Sequence, residues 1–122
     1  MYGSTSSEGD RVCAAYFTGS VTTEQVTAFL RDLLRWAEDG PYRLQLIVDD
    51  VVDRLSHGDQ ERLVRALVTP PITDAIDRVA VTGDPSVRPL VDALDDALPV
   101  SVFHFGTDWH RAQEWLRAPI GA

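Results

Sequence analysis

The chain has 122 residues, of which 44% are apolar and 25% charged, a composition typical of one globular domain and not of a disordered chain. Its formal charge is −8, with 19 acidic residues against 11 basic ones that are all arginine, which disfavours nucleic acid and anionic membrane surfaces as partners. The single cysteine excludes an internal disulfide and suits a reducing compartment, so we expect a cytoplasmic protein.

The first ten residues are small, polar and glycine-rich, which predicts a flexible tail over residues 1–10 and a domain over residues 11–118. They lack the basic and apolar runs of a signal peptide, and no window approaches the ~20 apolar residues that cross a bilayer. We therefore expect a protein that is not integral to the membrane. Residues 12–17 form an apolar run of strand length, in which Cys13 is expected to be a buried, inert thiol.

The clearest predicted element is a helix that follows this strand. Thr22 and Gln25 have the spacing of a capping box, and Gly40-Pro41 is a typical helix end. Trp36 lies about one position off the apolar stripe, so we expect it to be partly exposed at the rim of a ligand groove or an interface. The stripe consists of apolar residues at steps of three and four: Val26, Phe29, Leu30, Leu33, Leu34 and Ala37.

Three further pairs of strand and helix follow in alternation. The predicted strands cover residues 44–48, 76–81 and 100–105. The helices carry apolar stripes within residues 63–68, 87–94 and 112–116. Pro70-Pro71 is expected to end the second helix, and Asp84-Pro85 to cap the third. Strict alternation with helical crossovers predicts a single-domain α/β fold with a mainly parallel sheet of four to five strands.

Several of these segments resemble proteins of the SpoIIAA-like family, which share the STAS fold. The similarity lies in residues 77–84, 100–105 and 111–116, and in residues 17–22 before the first helix. The resemblance implies a domain related in shape to CRAL-TRIO lipid-transfer domains, without catalytic residues, that binds a protein partner or a small apolar ligand. The strand that usually precedes Val12 in that family is expected to be missing or degraded.

The STAS regulators carry a phosphorylated serine in an Asp-Ser-Ser-Gly turn, and the matching place here is residues 55–58. Aligned on Gly58, Ser56 matches the first serine, and His57 stands where the phosphorylated serine would be. A phosphoswitch at this place therefore loses its acceptor, unless Ser56 substitutes for it.

An acidic cluster lies between the second strand and the second helix, at the carboxyl end of a parallel strand, where ligands commonly bind. Carboxylates of this kind suit Mg²⁺, and a solvated acidic loop is the simpler interpretation, which we favour. The chain has no lysine for a receiver-type phosphotransfer site and no histidine or cysteine spacing typical of zinc. The cluster consists of Asp49, Asp50, Asp53, His57 and Asp59.

The sequence thus predicts a non-enzymatic, STAS-like regulatory or binding domain that uses the helix side of its sheet and needs no cofactor or metal. The candidate binding residues are Trp36, Asp49, Asp50, Ser56 and His57. A small Mg²⁺-dependent enzyme or a phosphoswitch in the Asp49–Asp59 loop is the alternative. A third hypothesis is a homodimer formed through an uncovered edge strand.

Overall fold

The computed structural model describes residues 1–7, 9–19, 21–49 and 57–118. The strands in this part of the chain form one sheet in sequence order: β1 (Tyr2–Ser6), β2 (Val12–Thr18), β3 (Tyr42–Asp49), β4 (Ile76–Thr82) and β5 (Ser101–His104). The helices are α1 (Thr23–Glu38), α2 (His57–Leu67), α3 (Pro70–Ala75), α4 (Arg88–Ala97) and α5 (Trp109–Arg117). β1 is antiparallel to β2, and all other neighbours are parallel. The predicted α/β fold with a mainly parallel sheet is confirmed.

The helices cover the two faces of the sheet unequally. In β4, Val79 and Val81 belong to a large apolar core with residues of α1, α2, α3 and α4. Ala80, between them, points to the opposite face and packs with Ala112 and Leu116 of α5. One face therefore carries four helices and the main core, and the other carries a single helix over a small cluster.

The predicted tail at residues 1–10 was wrong for residues 2–6, which form β1. Tyr2 pairs with Phe17 across the two strands, and their ring centroids are 5.0 Å apart. The Tyr2 hydroxyl donates to Oδ2 of Asp32 on α1 at 2.7 Å, and the Ser4 hydroxyl donates to the same oxygen at 2.8 Å. These contacts stabilise a polar strand that has almost no apolar pattern of its own. A strand therefore does precede Val12, although it was expected to be missing or degraded.

The helix α1 begins as predicted, but its buried face is rotated from the predicted stripe. Both hydrogen bonds of the capping box between Thr22 and Gln25 are present. The expected partial exposure of Trp36 was wrong, because its side chain is 4% exposed and its ring lies 6.0 Å from that of Tyr42. Phe29, Leu33 and Trp36 are spaced by four and three residues, so they share one face, and this face is buried.

Pro70 and Pro71 follow the end of α2 and also begin the next helix. α2 ends at Leu67, and Pro70 and Pro71 then occupy the first turn of the short helix α3, with Thr69 as its N-cap. Proline is tolerated there because the first amides of a helix have no partner within it.

Two arginines of the sheet hold the C-terminal end of α5. Nη1 of Arg78 donates to the carbonyl of Trp115 at 2.7 Å. Nη1 of Arg43 donates to the carbonyls of Leu116 and Ala118, the second at 3.0 Å. Cationic donors thus bind the carbonyls that an α-helix leaves free at its end.

None of the helices in the described residues has the length and apolar character that a membrane span requires.

Candidate functional site

Most of the loop singled out in the sequence lies outside the described residues. This is the case for Asp50, Ser56 and the side chains of Asp49 and His57, although the backbone places Asp49 at the end of β3 and His57 at the start of α2. Asp59 lies in the first turn of α2 and pairs with Arg62, with 3.2 Å between Oδ1 and Nη1. The acidic binding site and the phosphoswitch therefore stay predictions.

Among the described residues, no three acidic, histidine or cysteine side chains lie close enough together to hold a metal ion.

A small cavity of about 30 Å³ lies at the carboxyl ends of β3 and β4, beside Ile47, Thr82 and Trp109. Thr82 is 2% exposed, and its hydroxyl forms no hydrogen bond within the described part of the chain. The cavity has about the volume that one molecule occupies in liquid water, ~30 Å³. It is therefore too small for an organic ligand.

Backbone contacts fix the wall of this cavity at Gly83. Its N–H donates to the carbonyl of Gly106 at 2.7 Å, and its own carbonyl lies 3.0 Å from Nε2 of His104. A Cβ atom at Gly83 would lie 2.5 Å from the carbonyl oxygen of Val48, so only glycine fits. Strand and loop contacts thus hold the backbone at this turn.

A much larger concavity, which we call the helix groove, lies between α1 and α2 and has a volume of about 470 Å³. Its apolar lining consists of Val26 and Leu30 on α1 and Ala66 on α2. These side chains are half-buried or buried against the main core, so the groove is an open edge of that core. Its remaining lining residues are polar or cationic: Thr23, Thr27, Arg62, Arg65 and Thr69.

The polar groups of the helix groove differ in their availability to a ligand. The Thr27 hydroxyl donates to the carbonyl of Thr23 in α1 at 2.9 Å, and the Thr69 hydroxyl donates to that of Arg65 in α2 at 3.2 Å. Arg62 is paired with Asp59, whereas the exposed Arg65 has no ion pair in the described part of the chain. The guanidinium of Arg65 is therefore the strongest hydrogen-bond donor that the groove can offer to an anion.

The apolar spacing of the sequence predicts a core position for the α1 side of this groove. Val26 and Leu30 belong to the predicted apolar stripe, and their spacing alone gives no sign that they are half-buried. The residue that could have corrected this prediction is Trp36. It lies seven residues, about two helical turns, after Phe29, so the two aromatic side chains share one face of α1. Placing this tryptophan inside would have rotated the helix and exposed Val26 and Leu30.

Neither a scan against models of protein families nor searches of curated proteins and of solved structures find a match to this chain.

Proposed function

We propose that this chain is a non-enzymatic, STAS-like binding domain that holds a small amphiphilic anion, a long-chain carboxylate, in its helix groove. The carrying observation is the combination of an apolar lining with the exposed guanidinium of Arg65 in one concavity. Its volume of about 470 Å³ lies within the range of ~300–1,000 Å³ that small-molecule sites have.

The chemistry of the lining supports binding rather than catalysis at this groove. Alkyl side chains and threonine hydroxyls exchange no proton near neutral pH, and an arginine keeps its proton throughout the accessible range. An alkyl chain on Val26 and Leu30 gains by leaving water, and its carboxylate gains by meeting Arg65 on a protein of charge −8 that otherwise repels anions. A cytoplasmic location fits this proposal, because the one thiol, Cys13, is free and buried.

Calorimetric titration with dodecanoate, below the concentration at which it forms micelles, tests the proposal. We expect saturable binding, with dodecan-1-ol bound about fivefold more weakly, because an ion pair with an exposed arginine contributes ~1 kcal/mol. Arg65→Gln should weaken dodecanoate binding by a similar factor and leave dodecan-1-ol unchanged. Arg31→Gln is the matched control, since Arg31 is also exposed, lies on α1 and does not line the groove.

Two outcomes would overturn the proposal. One is the absence of binding to folded protein, and the other is equal affinity of wild type and Arg65→Gln for dodecanoate. Magnesium titration followed by amide NMR tests the alternative, because shifts confined to residues 49–59 would favour a metal-dependent enzyme instead.

A further inference from the structure

The outer strand β5 has a free edge. It pairs only with β4 among the strands that the structure describes, in parallel register from Arg78↔Ser101 to Val81↔His104. The N–H of Phe105 donates to the carbonyl of Val81 at 3.0 Å, so the backbone groups of odd-numbered residues point toward β4. Those of Val102 and His104 consequently point away from the sheet, since backbone direction alternates along a strand.

A concavity of about 360 Å³, which we call the edge groove, runs between this free edge and α4. Val102, Phe103 and His104 line it from the strand, and the helix contributes Asp92 and Asp95. A further strand would lie ~4.8 Å from β5, on the side where the structure describes no neighbouring strand. The place next to the free backbone groups is therefore open to an extended chain.

The α4 side of the edge groove is acidic. Asp92 pairs with Arg88, with 3.2 Å between Oδ1 and Nε, and both side chains are more than 60% exposed. Asp95 has no ion pair in the described residues, so one carboxylate on this side is uncompensated. A side chain that an added strand points toward α4 is thus favoured when it is basic.

The opposite side of β5 is aromatic. Phe103 is 56% exposed, and its ring lies 6.0 Å from that of Phe105 and 5.4 Å from that of Trp115. The guanidinium of Arg78 lies 5.2 Å from the ring of Trp115 on the same face. A side chain that an added strand points toward this aromatic triad is favoured when it is apolar, because large exposed apolar groups are typical of binding surfaces.

We propose that β5 binds an extended segment of another protein as a sixth strand, and that this segment alternates basic and apolar residues. Side chains of a strand point alternately to the two faces, so one set meets Asp95 and the other meets Phe103. A second copy of this chain fits less well. If two β5 strands paired about a two-fold axis, both α4 helices would lie on the same face of the joint sheet. Asp92 and Asp95 of one copy would then repel those of the other, and each molecule carries a net charge of −8.

The test uses a short labelled peptide that alternates arginine and valine, with its binding to the full chain followed by fluorescence anisotropy. We expect binding, and we expect its loss when the peptide nitrogens along one edge are methylated, but not when those along the other edge are. Asp95→Arg should weaken binding about fivefold and Phe103→Ser about tenfold. Asp74→Arg on α3 is the matched charge control and should have little effect.

The peptide series keeps the test independent of whether any variant folds. Equal binding of both methylated peptides, or of a peptide with glutamate in place of arginine, would overturn the proposal. So would an equal loss in Asp74→Arg and Asp95→Arg, which would indicate attraction by net charge alone. Light scattering that shows a dimer disrupted by Asp95→Arg or Phe103→Ser would assign the edge to a second copy and would also overturn it.

Discussion

The hydroxyl of Tyr2 gives a direct test of whether β1 is an integral strand. It donates at 2.7 Å to Asp32, a carboxylate that also accepts from Ser4 and pairs with Arg35 at 3.0 Å. Tyr2→Phe removes this one hydrogen bond and keeps the ring packed on Phe17. A hydrogen bond to a charged group contributes ~1.5–3 kcal/mol, and the partial exposure of this one places it at the lower end, about 1.5 kcal/mol.

Urea denaturation followed by tryptophan fluorescence measures this loss, and a chain of this length should melt about 5 °C lower for it. Tyr16→Phe is the matched control, because the Tyr16 hydroxyl on β2 forms no hydrogen bond within the described residues. Its free energy of unfolding should stay within about 0.5 kcal/mol of wild type. Burial, followed by the hydrogen bond to Asp32, raises the pKa of Tyr2, so in an alkaline titration Tyr2 should ionise above the ordinary range of a tyrosine, ~10. If Tyr2→Phe and Tyr16→Phe prove equally stable, the docking of β1 through Asp32 is refuted.

Three other substitutions or treatments test the core and the small cavity. Thr82→Val should raise the free energy of unfolding by about 1 kcal/mol, since it removes a buried hydroxyl that forms no hydrogen bond with the residues that the structure describes. A loss of stability, measured by urea denaturation, would show instead that the hydroxyl is hydrogen-bonded in solution. Gly83→Ala should cost about 2 kcal/mol or more, because its Cβ would meet the carbonyl of Val48, whereas Gly9→Ala, with nothing within 4 Å, should be neutral. Burial raises the pKa of Cys13 to about 11, so in the folded protein this thiol ionises at a higher pH than it does in the unfolded chain. The thiol therefore leaves the free energy of unfolding unchanged below about pH 9 and lowers it between about pH 9 and 11. Its reaction with a disulfide reagent at pH 8 should be seen only after unfolding, and rapid labelling of folded protein would contradict this burial.

The elements that the sequence predicts well are those whose apolar pattern or cap is local. The capping box of Thr22 and the strands around Leu46 and Val81 follow from local patterns, and the alternation of strands with helices is enough to predict a mainly parallel sheet. β1 was missed because its stability depends on contacts with α1, through Asp32, that no local pattern in residues 2–6 reveals. The formation of β1 therefore depends on tertiary contacts rather than on the strand propensity of its residues.

The candidate sites were harder to predict because each depends on how two elements face one another. The helix groove requires the rotation of α1, which the burial of Trp36 determines. The edge groove requires the position of β5 at the end of the sheet, which no local pattern within residues 101–104 reveals. The acidic loop was prominent in the sequence, and most of it lies outside the described residues.

The attachment of α5 through Arg43 and Arg78 has a consequence for how the molecule opens. This helix buries only a small cluster, with Ala80 and Ala112 among its members, so its release exposes little apolar surface. Its amides should therefore exchange with deuterium at a lower free energy than those of the main core, as one cooperative unit. Because Trp115 belongs to both α5 and the aromatic triad, an occupied edge would slow this exchange, and local opening of the last helix would report on a partner bound at the neighbouring strand β5.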